Sequence, residues 1–211
     1  MGCMITQPTR IERCSEDLYA KIAGCLDGAA KQISAALGRP IGINTATLSV
    51  LDMWKVPVLF WQPEEEIVAI YISISGDIQG YIMLEISTHE ACQLIEMMRC
   101  RTKGMATTLG TLERSALGEI AKLTSIALCK AVTEGVFFNI RLSPPAVLVQ
   151  PASFALDILG PDTIDSPRQA LVAENYFLVG RHKVKALLVI APETPSLATV
   201  LEVRERRWEI R

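Results

Sequence analysis

Ser115, Glu119 and Lys122 stand at i, i+4 and i+7 in a segment of helical hydrophobic period, so they share one stripe of a helix. A hydroxyl, a carboxylate and an ammonium together offer hydrogen-bond donors, acceptors and charge of both signs to whatever faces them. Opposite them, Ala116, Leu117, Ile120, Ala121, Leu123, Ala127, Leu128 and Ala131 form a broad apolar arc. A helix so patterned packs the arc on a sheet and turns the stripe to solvent or to a partner. Spacing alone favours a merely solvated face, with Glu119 and Lys122 in a weak i,i+3 pair.

The remaining reactive residues form no enzyme signature: there is no Walker loop, no G-x-S-x-G and no H-E-x-x-H. His89 and His182 fall in two equivalent turn or helix-start regions and read as exposed polar residues, so no metal site is expected. Asp77, in Gly76-Asp77-Ile78-Gln79-Gly80, is accounted for by turn chemistry. Six cysteines (Cys3, Cys14, Cys25, Cys92, Cys100, Cys129) include no C-x-x-C pair and no zinc spacing. Cys25, Cys92, Cys100 and Cys129 lie in helical patterns and read as small buried hydrophobes of a reducing compartment rather than a disulfide framework.

The elements that must position the stripe follow from period and punctuation. Ser15, Glu16 and Asp17 supply a cap and an acidic first turn. Leu18, Ile22, Cys25, Leu26, Ala29, Ile33 and Ala36 then recur at helical spacing, and Gly38 and Pro40 end the run. Pro40 to Phe60 alternates short β-like runs with turn residues. Ile70, Ile72 and Ile74 alternate with polar partners, as do Ile82, Leu84 and Ile86 beyond the Gly76–Gly80 turn, which predicts a hairpin. Thr88 and Glu90 open a helix through about Cys100. The order then recurs. A long helix spans Thr111 to Glu134 and stops at Gly135. A β-like stretch, Asn139 to Gln150, carries Ser143-Pro144-Pro145. Strands Val172–Val179 and Lys185–Ala191 flank the turn Gly180-Arg181-His182-Lys183, and Pro192 to Ser196 opens a final helix. This predicts a single α+β domain over 1–211, an internal duplication of repeats at about 15–100 and 111–202 joined by residues 101–110, with pseudo-two-fold symmetry.

The chain has 211 residues, 50% hydrophobic and 21% charged, a globular profile. A net charge of −2 and 6% aromatic residues argue against nucleic-acid binding. No apolar run reaches membrane-span length and no secretory h-region opens the chain, so a cytoplasmic protein without membrane insertion is expected. Met1-Gly2-Cys3-Met4-Ile5-Thr6 fits the loose myristoylation template, one that matches by chance often. Val203 to Arg211 either extends the final helix or forms a tail.

Ser115-x-x-x-Glu119-x-x-Lys122 with the distant Pro144, the helix end Leu37-Gly38-Arg39-Pro40, the hairpin Ile74–Gly80 and the strand Ser143–Val147 together resemble the CheC/CheX/FliY group of bacterial chemotaxis proteins. The resemblance covers most of the chain. It implies a pseudo-two-fold duplicated fold, two long helices packed on a largely antiparallel sheet. It also implies a phosphatase of the phosphorylated response regulator CheY, in which Glu anchors to a regulator lysine and an Asn amide orients the attacking water. Such chemistry is positioning rather than covalent catalysis. The resemblance thus gives Glu119 and Lys122 the catalytic positions and makes Ser115, Glu119, Lys122 and Pro144 the partner-binding set. It implies no cofactor in the chain itself, with Mg expected only in the partner regulator, and a CheD-like receptor deamidase as a possible second partner.

Two departures matter. Lys122 occupies the Asn position, and an ammonium has three donors and no acceptor. It can attract a phosphoryl oxygen as a point charge or fold back onto Glu119. In the first long helix, alignment on Leu37-Gly38-Arg39-Pro40 puts Ala20 and Ala23 at the Glu and Asn positions, a degenerate first site on the side facing away from Leu18, Ile22 and Ala29. The expected function is therefore binding of a CheY-type regulator or a CheD-like partner with weak or no phosphoaspartate phosphatase activity. The alternative is an active phosphatase using Glu119 with Lys122 in place of the usual Asn.

Overall fold

The computed structural model describes residues 12–99, 109–134, 139–159 and 169–193. The acylation template at Met1–Thr6, Cys3, Cys100, most of the 101–110 connector, the Gly135 stop, residues 194–196 of the expected final helix and the Val203–Arg211 segment lie outside them; Pro192, expected to open that helix, instead ends a strand.

Strand β1 (Glu12–Arg13) leads into helix α1 (Glu16–Leu37). The Ser15 hydroxyl accepts from the Leu18 N–H at 3.4 Å, and Gly38, at φ 64°, ends the helix in the left-handed region. Leu18, Ile22, Leu26, Ala29 and Ile33 are buried as the period requires, but Ala36 is exposed. The segment after Pro40 is not a series of short runs. It is one long strand, β2 (Ile41–Asp52), broken by a register shift between Thr45 and Thr47, followed by a short helix, α2 (Lys55–Phe60). The bulge interrupts the alternation, which is why the sequence reads as fragments.

The hairpin forms as expected from β3 (Glu66–Gly76) and β4 (Gly80–Ser87). Gly76, at φ 111°, is required twice over: a Cβ there would meet the Asn139 carbonyl oxygen at 2.0 Å. The Asp77 carboxylate accepts from the Asn139 N–H at 2.8 Å, and the Asp77 N–H donates to the Asn139 carbonyl, so this side chain ties the turn to the next chain segment. Helix α3 (Thr88–Arg99) is capped by Ser87 rather than Thr88. The Glu90 N–H donates to the Ser87 hydroxyl at 3.2 Å and that hydroxyl donates back to Glu90 Oε2, a reciprocal box.

Helix α4 (Thr111–Thr133) is followed by β5 (Ile140–Leu142) and β6 (Ala146–Pro151), split by the two prolines. Two single 3-10 turns, Ala152–Phe154 and Asp157–Leu159, precede β7 (Gln169–Val179) and β8 (His182–Pro192). Their connection is tighter than expected: Val179 pairs with His182, leaving Gly180-Arg181 as the turn.

Among the described residues the strands form one eight-stranded sheet in the order β1-β2-β7-β8-β4-β3, with β5 and β6 both on β3, and every pairing is antiparallel. The fold is α+β. Helices α1, α3 and α4 cover one face, where Ile22, Leu26, Leu117 and Leu128 meet Ile70, Ile72, Leu84 and Ile190. The other face is covered too, by Met53, Val56 and Trp61 around α2 and by Ala152, Ala155 and Leu156, over Ala69, Tyr71, Met83 and Leu187. Central strands buried on both faces read as continuous apolar runs, and each fully buried Ile or Leu contributes about 1.5–3 kcal/mol.

Candidate partner-binding site

Helix α4 buries Leu117, Ile120, Ala121, Ala127, Leu128 and Ala131, with Ala116 and Leu123 half-buried. Ser115, Glu119 and Lys122 are all exposed along its outer side. The Lys122 ammonium sits 3.7 Å from a Glu119 carboxylate oxygen, with both side chains largely in solvent. The stripe continues at both ends as apolar surface: Leu112 is 75% exposed and Ile126 47%. Sequence reasoning took Ser115, Glu119 and Lys122 and overlooked these two, although both stand at helical spacing from the trio.

Two contacts fix how α4 is seated. Gly118 faces the Ser143-Pro144-Pro145 segment so closely that a Cβ would lie 3.1 Å from Pro145 Cγ. Arg114 donates from Nε to the Leu109 carbonyl at 3.1 Å, and its Nη1 reaches the Val147 carbonyl at 3.5 Å. It is Pro145 that touches α4; Pro144 is exposed immediately before it, in the same segment. The structure thus brings three of the four partner-binding candidates onto one face and sets Pro144 in the segment packed beside that helix.

The surface of α1 expected to hold the degenerate first site is not uniformly open. Ala20 is exposed and Ala23 half-buried. The charges near them pair within the helix, Lys21 with Asp17 at 2.9 Å and Lys31 with Asp27 at 2.7 Å.

Other reactive groups are built into the fold. Burial pushes the Cys129 thiol up to about 12 and raises Cys92 as well, so neither presents a thiolate at neutral pH. Cys14, Cys25, Cys92 and Cys129 are in no disulfide. The His89 ring meets Gln93 Nε2 at 2.7 Å on the surface, and His182 is exposed. Among the described residues no three metal-ligating side chains converge, and no helix is long and apolar enough to cross a membrane.

The group that sequence reasoning missed is Glu85. It is fully buried on the α2 side of the sheet, where its Oε2 accepts from Trp61 Nε1 at 2.8 Å and its Oε1 has no partner. Burial pushes its carboxyl up to about 7, and the Trp61 hydrogen bond only partly offsets this. On an alternating strand such a carboxylate reads as solvent-facing; the signal that it is not lies in the apolar Val56-Pro57-Val58-Leu59-Phe60-Trp61 run that covers it.

No family model matches the sequence. The chain is similar to FliY of Thermotoga maritima, at 22% identity over 89% of this chain and 96% of that one, with a TM-score of 0.65. It has the fold of FliY. The FliM middle domains of H. pylori and Vibrio alginolyticus match it as well, each at 12% identity and TM-score 0.61, over 89% and 90% of this chain and 98% and 97% of theirs. The resemblance to the CheC/CheX/FliY group is borne out as a fold, and FliM shares that fold.

Proposed function

We propose that this chain is a CheC-like signalling protein that binds a phosphorylated CheY-type response regulator through α4, with little or no phosphoaspartate phosphatase activity. The observation that carries this reading is the single exposed stripe of Ser115, Glu119 and Lys122, with the ammonium already drawn to its neighbouring carboxylate. A surface pair of this kind is weak, so it opens readily for a partner. Glu119 then serves as the anchor for a regulator cation, while Pro144 abuts the same docked surface.

The chemistry of Lys122 argues for binding without hydrolysis. Water aligned in line with phosphorus needs a group that accepts from it as well as donates to phosphoryl oxygen, and an ammonium only donates. Losing one such positioning group typically removes ~2.7–4 kcal/mol of transition-state stabilisation, about 10²–10³ in rate. The alanines at Ala20 and Ala23 leave a second site without polar groups. A FliM of H. pylori is known in complexes with FliG and with SpeE, which favours a fold used for protein assembly. A CheD-like deamidase is a further candidate partner.

The duplicated architecture is part of the same proposal. Matching β2, β3 and β4 with β6, β7 and β8 makes the strand order read the same from both ends, each repeat lending its first strand to the other's hairpin. Helices α1 and α4 then correspond, as do the connections that cover the second face, and one domain of two repeats spans the chain. The test of the functional reading is Lys122→Asn. Restoring the amide is expected to create measurable acceleration of phosphoregulator decay; a variant that still binds the regulator and remains inert overturns the role assigned to position 122.

A further inference from the structure

Helix α2, Lys55-Val56-Pro57-Val58-Leu59-Phe60, has one polar residue in its whole length. Val56 and Pro57 are buried against the sheet, yet its outer side is not covered: Val58 is 68% exposed and Leu59 47%, with Trp54 52% exposed just before the helix. Phe154, 53% exposed on the neighbouring 3-10 turn, extends the surface. Single apolar residues in water carry no message, but a cluster on a helix apolar all round marks an interaction site. Trp54, Pro57 and Val58 also wall a cavity of about 250 Å³ with Ser153, Leu156 and Asp157.

The cavity side of this surface is negative, whereas at the Phe60 end of α2 the Lys185 ammonium lies over the Phe60 ring at 5.5 Å. The Asp157 side chain is exposed at the cavity wall. Pro63, also in the wall, leads into Glu64, which is exposed, and Glu65. That acidic run is held against the 3-10 turn by the Ser153 N–H donating to the Pro63 carbonyl at 3.1 Å and the Ala152 N–H to the Glu65 carbonyl at 2.9 Å. The lysine of α2, Lys55, is neutralised by Asp52 and lies over the Trp54 ring at 5.1 Å.

We infer that this surface docks a basic amphipathic segment of a protein partner, with apolar side chains on Trp54, Val58 and Phe154 and cationic ones toward Asp157 and Glu64. It lies on the sheet face opposite α4, so it is independent of regulator binding and leaves both surfaces free to be occupied together.

The test titrates the intact protein with a short labelled helix-forming peptide of leucine and lysine, and with its leucine–glutamate counterpart, at near-physiological salt. Saturable binding of the lysine peptide is expected, with the glutamate peptide at least about tenfold weaker; Val58→Asp weakens the lysine peptide by about tenfold or more, and Asp157→Asn by a few-fold. Val58 is exposed, so its variant keeps the wild-type circular dichroism and urea midpoint. Equal affinity of Val58→Asp, or of the two peptides, overturns the inference. So does binding to anionic vesicles that is lost in Val58→Asp, a concentration-dependent dimer lost in the same variant, or peptide binding seen only after Arg204, Arg206 and Arg207 are changed to Ser. Those results assign the surface to a membrane, a second copy or the chain's own C-terminal segment.

Discussion

Replacing Glu85 by Gln changes the pH dependence of stability in a way that can be worked out from its surroundings. The carboxyl is fully buried, keeps one hydrogen bond from Trp61 and leaves Oε1 without a partner. Its folded value of about 7 stands above the ordinary 4.5, so the folded state holds a proton that the unfolded chain has released. Stability from this group is therefore fully present below about pH 4.5, falls as pH rises toward 7 and is level above that. The shift corresponds to about 3 kcal/mol lost across that window. Glutamine has the same shape, still accepts from Trp61 and cannot ionise, but its buried amide N–H groups go unpaired at a cost of about 1–3 kcal/mol. Above pH 7.5 the variant is expected to be as stable as wild type or more stable by up to about 2 kcal/mol, and below pH 4.5 less stable by about 1–3 kcal/mol. Urea titrations followed by far-UV circular dichroism at pH 4.5, 6 and 8 measure it. A difference between variant and wild type that does not change with pH refutes the burial argument.

Further substitutions test how the functional surface is held. Gly76→Ala places a Cβ on the Asn139 carbonyl in a left-handed backbone and should cost about 2 kcal/mol or more by urea denaturation. Ser87→Ala opens the box at the start of α3 and should cost about 1 kcal/mol in the same assay, with hydrogen exchange rising first at Glu90. Lys122→Ala removes only an exposed pair, so stability should change by less than ~0.5 kcal/mol while regulator affinity, measured by calorimetry, falls.

Those elements that obey one period over a long run were legible in the sequence: α1 with Ser15 and Gly38 at its ends, the Ile70–Ile86 hairpin, α4 and its polar stripe. What was not legible depends on contacts between distant segments. β2 was fragmented because a bulge at Thr45–Thr47 breaks the alternation, and α2 was missed because six residues, one of them Pro57, are too few to show a period. The helix cap is Ser87 rather than Thr88 because Ser87 stands three residues before Glu90, the capping-box spacing, a local signal the sequence already carried. Glu85 was overlooked because the layer burying it comes from two connections that sequence period does not describe. At the candidate site, spacing put Ser115, Glu119 and Lys122 on one exposed stripe, and only the resemblance gave that stripe a role. The contact between Gly118 and Pro145, which seats their helix beside the Pro144 segment, required the fold.

The central claim concerns the α4 stripe, and the most direct measurement is the decay of phosphorylated CheY-type regulator with and without substoichiometric protein, alongside binding of the same regulator. The account predicts binding that Glu119→Ala weakens, with decay unchanged within about twofold. Clear acceleration of decay, or binding indifferent to Glu119, would contradict it.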